Sequence, residues 1–139
     1  QSGVLSIMLG KGDQVYYYTG KLEPDASNFK QTTYKGIRQV IIDKKKEVKS
    51  RFDPARADPK TCDEEKAAAK KRGDPNWEKA CEDIDFMVII KPDEDATYKN
   101  TVDILDEMTI NQVKRYAMVK LFEDEMKVIR ATEAANSIK

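Results

Sequence analysis

The 139-residue chain has no histidine, only two cysteines and no net charge, its 25 basic residues being matched by 25 acidic ones. Without histidine, the commonest general base, the commonest zinc ligand and the usual nucleophile triads are set aside. Balanced charge directs no field toward nucleic acid or an anionic membrane surface, so nucleic acid is not an expected partner. Apolar runs are short. The longest, Phe86 to Ile90, falls far below the roughly 20 residues of a membrane-spanning helix. Nor does the start look like a signal peptide: Gln1-Ser2-Gly3 brings no basic region or apolar core and reads as a remnant of cloning or cleavage. Any anchor would then lie upstream. The cysteines, Cys62 and Cys81, lack the CxxC spacing of redox enzymes and zinc sites. No cofactor or metal is expected, and no enzymatic role.

Elements follow from periodicity. Val4 to Leu9 and Val15 to Tyr18 are β-prone runs around a Gly10-x-Gly12 loop and predict a hairpin. That glycine pair lies between strands rather than ahead of a helix, which makes it a turn and not a phosphate loop. Of Tyr16-Tyr17-Tyr18, strand alternation sends the middle ring to the opposite face. Core or interface packing is favoured for these rings over stacking on a ligand. Thr19 to Thr32 reads as a loop. Tyr34, Ile37, Ile41 and Val48 then recur at helical spacing, predicting an amphipathic helix over 34–49 whose Lys44-Lys45-Lys46 run is a solvated face.

Residues 50–83 differ in composition from both flanks and read as an inserted helical hairpin. Thr61-x-x-Glu64 has the form of a capping box, Gly73 supplies a stop, and Asp74-Pro75 restarts a second short helix through Trp77 to Cys81. Trp77 is expected to clamp the hairpin to the domain. The outer ends of an antiparallel hairpin are neighbours, so a Cys62–Cys81 disulfide is geometrically reasonable; two free thiols are the alternative.

Phe86 to Ile90 predicts a strand buried on both faces and ended by Lys91-Pro92. Tyr98, Thr101, Val102, Leu105 and Met108 predict a helix stripe capped by Thr97, with Ile104 beside the stripe and Leu105 a core position. Asp93-Glu94-Asp95 are read as residues favouring that helix's positive end, against a metal or acid–base site. Arg115 to Phe122 reads as a last strand, and 123–139 as a flexible, frayed or partly helical tail. The expected fold class is α+β: a small mixed β-sheet with two main helices packed on it, in the order β-β-α-(inserted helical hairpin)-β-α-β, forming one domain over 1–139.

Val88-Ile89-Ile90-Lys91-Pro92-Asp93-x-x-x-x-Tyr98, Val102-x-Ile104-Leu105-Asp106 and Arg115-Tyr116-Ala117-Met118-Val119, with the upstream Gly12-Asp13-x-Val15-Tyr16, together resemble the ExbD/TolR family. In that likeness Asp93, Tyr98, Val102, Leu105 and Asp106 hold family-motif positions. Pro92 and Asn111-Gln112 depart from the usual alanine and glycine, and the cysteine-containing insertion is foreign to short members. The resemblance implies the periplasmic domain of a single-pass bacterial inner-membrane protein that forms a homodimer. It further implies a place inside ExbB-like channel subunits and engagement of a TonB-like protein, coupling an ion gradient to outer-membrane transport. A TolR-like domain binding peptidoglycan is the alternative. The expected contact is strand addition along Arg115, Tyr116, Ala117, Met118, Val119, Lys120 and Leu121, with Tyr116, Met118 and Leu121 supplying side chains; an internal position for this strand is the competing reading.

Overall fold

Alternation of side chains along the first hairpin decides how the two sides of the sheet are built. In the computed structural model, which describes residues 2–136, β1 (Val4–Leu9) pairs antiparallel with β2 (Val15–Thr19). The register sets Ile7 against Tyr17 and Leu9 against Val15 on one face, and Ser6 against Tyr18 and Met8 against Tyr16 on the other. The turn uses Gly12 and Asp13 at positive φ (66° and 61°), so glycine is the residue with least strain there.

Part of the stretch read as a loop pairs with β2 as a third strand, β3 (Lys30–Thr32). It has only three residues, all polar, and so no alternation to reveal it. The remaining strands are β4 (Met87–Pro92) and β5 (Tyr116–Met118), and the order across the sheet is β3-β2-β1-β4-β5. β1 runs parallel to β4, and β4 parallel to β5. Helices α1 (Tyr34–Ser50), α2 (Pro59–Lys71), α3 (Tyr98–Ile110) and α4 (Glu123–Ala135) complete an α+β domain with a small mixed sheet.

The larger core lies under α1 and α3. Ile37, Ile41 and Val48 of α1 and Ile104 and Met108 of α3 meet Leu5, Ile7, Leu9, Val88 and Ile90. Full burial of such side chains stabilises by about 1.5–3 kcal/mol each before entropy is counted. Thr33 caps α1 by accepting from the Gly36 amide, and Thr97 caps α3 in a reciprocal box with Asn100.

Three helical expectations are corrected. The α3 stripe is rotated: Asn100, Ile104, Glu107 and Met108 face inward, Leu105 is half-buried, and Tyr98, Val102 and Asp106 are exposed. Polar Asn100 and Glu107 occupy inward positions because each is bonded there, to Asp13 and Arg38 respectively. Lys44 is not on a solvated face: it is buried, its ammonium held 2.7 Å from the Ser2 carbonyl, while Lys45 reaches the Asn111 and Gln112 carbonyls that end α3. The segment read as a flexible tail is largely α4, with Glu125, Ile129 and Glu133 buried; its last residues, 137–139, lie outside the described ones.

The insertion holds one full helix and a single 3-10 turn at Trp77–Lys79. Asp58 caps α2, with Pro59 at its first position; Thr61 sits inside the helix and donates to Asp58, so the expected Thr61 box does not form. Asp–Pro is the better start because proline's missing N–H is no loss there. Gly73 ends the stretch at φ 78°. Trp77 packs on the Lys70 ammonium, 4.9 Å from the ring centre, a contact within the insertion. Cys62 and Cys81 are joined as a disulfide.

Candidate functional site

Two places concentrate unusual chemistry: the outer edge of β5, and the polar layer between the sheet and α4.

β5 is an edge strand, with β4 on one side only. The Val88 amide donates to the Arg115 carbonyl (3.0 Å) and the Val119 amide to the Ile90 carbonyl (2.9 Å). Alternation along a strand therefore turns the backbone groups of Tyr116 and Met118 away from β4, toward open space. The side chains of Tyr116 (45% exposed) and Met118 (44%) share the face of their partners Val88 and Ile90, on the α1/α3 side. Exposed Tyr98 and Val102 of α3 lie on that same side. Beyond the strand Val119 and Phe122 are also exposed apolar residues, Phe122 lying on the α4 side with its ring over Lys91, and Lys120 is exposed. Ala117 faces the other way, beside Ile89. The opposite edge, β3, offers Lys30, Gln31 and Thr32 and no such apolar rim.

Two residues expected on this edge are used elsewhere. Leu121 turns under the sheet and packs with Met8, Tyr16, Tyr18 and Ile129, because β5 closes after Met118 and the chain must cross to begin α4. Arg115 is bound to Glu65 of α2 and lies near the Asp83 carboxylate, so its charge is spent on the insertion rather than on guarding the edge.

The second place was not legible from the motifs. Lys91 projects from β4 onto the α4 face beside Met8. Its ammonium lies 2.6 Å from the Glu125 carboxylate, both side chains being almost wholly buried. Tyr18 donates to the same Glu125 oxygen at 2.5 Å, and the Phe122 amide donates to the other at 2.7 Å. The Phe122 ring covers Lys91 at 4.1 Å. Burial, then the bond to Glu125, pushes the Tyr18 phenol above its ordinary range.

One helical turn further along, Arg130 binds Asp93 through two bonds of 2.9 and 2.8 Å and also donates to Glu133 at 2.9 Å. Asp93 is thus a buried anchor for α4 rather than a residue serving the positive end of α3, whose cap is Thr97, as expected. Asp93, Asp95 and Glu133 bring carboxylate oxygens within 4.8 Å of one another, a spacing able to hold a cation. The guanidinium already occupies this role, its proton held more firmly than usual by the bonds to Asp93 and Glu133. The Tyr16 phenol, its pKa raised by burial and by nearby Glu133 and Asp93, has no hydrogen-bond partner among the described residues, nor has one oxygen of Glu133. A sequence signal did exist: a lysine inside an otherwise apolar strand, and Glu125, Ile129 and Glu133 at four-residue steps. Charge at those steps reads as solvent-facing until the partner strand is placed.

The chain was compared with family models, curated proteins and solved structures, and none matches it.

Proposed function

We propose that this domain is a non-catalytic interaction module that binds another chain by adding a strand to β5. The observation carrying the reading is the edge itself: outward backbone groups at Tyr116 and Met118, bordered by exposed Tyr116, Met118 and Val119. An edge of this kind offers hydrogen bonds for affinity and alternate side chains for selectivity. Natural sheets usually blunt such edges with charge, yet here Arg115 is engaged by the insertion. The likeness to ExbD/TolR motifs supplies the finer proposal. In it, the domain lies in the periplasm beyond a membrane anchor, pairs with a second copy and engages a TonB-like protein. A disulfide fits an oxidising compartment of that kind.

Met118→Pro removes the outward-facing N–H while leaving the β4 ladder its bonds from Arg115 and Val119. Sedimentation velocity is expected to show self-association of the parent chain, lost in Met118→Pro and retained in Met118→Ala. Equal association of the proline variant, with circular dichroism unchanged, overturns the edge as the binding site.

A further inference from the structure

The insertion grips the open strand, and its grip is organised around the disulfide. Cys62 lies in the first turn of α2, and Glu65, one turn on, binds Arg115 and approaches Lys114 within 3.6 Å. Cys81 lies at the far end of the insertion. Beside it the Ala80 carbonyl accepts from Lys114 at 2.8 Å, and the Asp83 carboxylate accepts from Lys114 at 3.1 Å. The Arg115 guanidinium also reaches the Asp83 carbonyl. Both arms of the insertion thus converge on Lys114 and Arg115, the two residues that lead into β5, and the Cys62–Cys81 bond is the covalent tie between the arms at their open end.

Besides the bridge, the arms meet where the Lys70 ammonium of α2 lies over the Trp77 ring and where the Asp74 amide donates to the Ala69 carbonyl, both at the closed end of the insertion. Among the described residues of α2, only Cys62 and Ala69 are buried. Both cysteines are buried, yet they line a surface cleft of about 510 Å³ with Phe52, Pro54 and Pro59. Lys49, Lys66, Asp63, Glu78 and Glu82 border the same cleft.

We infer that the Cys62–Cys81 pair is a redox-sensitive clamp on the β5 edge: oxidised, it fixes Lys114 and Arg115 and presents a formed strand; reduced, it frees the edge to fray. The chemistry is ordinary exchange with a dithiol. Its thiolate attacks one sulfur, and the mixed disulfide is resolved by the second thiol. Two electrons and two protons leave the reductant, which closes its own disulfide, while the protein gains two thiols. The effect on partner binding rests on the edge reading above; the effect on the strand does not.

The test is amide hydrogen exchange on the full chain, oxidised and after dithiothreitol, with Cys62→Ser/Cys81→Ser as the permanent open form. The Val88 and Val119 amides, which close the β4–β5 ladder, are expected to exchange at least about tenfold faster when the bridge is absent, through local opening. The Ile7 and Ile41 amides should stay protected. Glu65→Gln, with the bridge intact, is expected to move Val88 and Val119 the same way by a smaller factor. Unchanged exchange at Val88 and Val119 overturns the clamp. Equal acceleration everywhere also overturns it, since the bridge would then be a global staple. Self-association measured on the same samples separates the two proposals. A responsive edge with no association in either state keeps the clamp and removes the binding role assigned to β5. Association indifferent to reduction, with unmoved exchange, does the reverse.

Discussion

Replacing Glu125 by leucine should cost this domain a large part of its stability, and the structure says why. Glu125 is wholly buried, and three donors converge on it: the Lys91 ammonium at 2.6 Å, the Tyr18 phenol at 2.5 Å and the Phe122 amide at 2.7 Å. Glu125→Leu leaves a buried ammonium without its counter-charge, a loss of about 3–5 kcal/mol. The stranded phenol alone would add about 1–3 kcal/mol, but the groups share one acceptor and their costs do not add in full. We expect about 4 kcal/mol in total, against the roughly 5–15 kcal/mol that holds a typical domain folded. A triple variant, Glu125→Leu with Lys91→Met and Tyr18→Phe, removes all three side-chain polar partners together. It should return to within about 1.5 kcal/mol of the parent chain, since a buried ion pair replaced by apolar groups is often neutral. Urea denaturation read by circular dichroism measures both. A single variant within 1 kcal/mol of the parent (an order-of-magnitude threshold) would mean that α4 does not seat over Lys91. A triple variant as unstable as the single would trace the loss to packing rather than to unpaired charge.

Two further outcomes follow from burial. Ile104→Ala should cost about 2–5 kcal/mol in the same assay because its side chain is fully enclosed, whereas Leu105→Ala, at a half-buried site, should cost about 1–2 kcal/mol. Equal losses would restore the unrotated stripe. Tyr16, Tyr18 and Tyr34 all have phenols raised above the ordinary range, each chiefly by burial. Above about pH 10 the unfolded chain sheds those protons while the folded chain keeps them, so stability is full below that pH and falls as pH rises past it. The tyrosinate absorbance of these three should therefore appear together with unfolding; ionisation of all six tyrosines in a still-folded chain would contradict this.

The apolar layer was legible because its residues repeat at the period of the element that carries them. Ile37, Ile41 and Val48 mark α1, and Val4 to Leu9 and Phe86 to Ile90 mark the central strands, so the α+β class and the order of most elements could be read from the residues. Thr97 was readable as a cap because a threonine before a helical stretch satisfies orphan amides. The α3 face misled because its inward positions include Asn100 and Glu107, polar residues whose partners Asp13 and Arg38 are distant in sequence. α4 was hidden for the same reason: its buried face is Glu125, Ile129 and Glu133, acceptable inside only once Lys91 and Arg130 are in place. In the candidate edge, Tyr116 and Met118 were identified correctly as strand residues, while the loss of Leu121 to the second layer depended on where the chain had to cross. Residue type alone does not carry that information.

The placement of β1 has a mechanical consequence. All six of its residues lie against β4, and five of them against β2 as well, so the first strand of the chain is locked on both flanks. Bonds of a ladder lie across the strands, and tension drawn along β1 from its leading end loads both ladders in shear, many bonds at once, instead of peeling them singly. A load entering there passes sideways through β4 to β5, whose strands run in the same direction. A pull on β1 is thereby shared across the parallel half of the sheet instead of falling on one ladder alone.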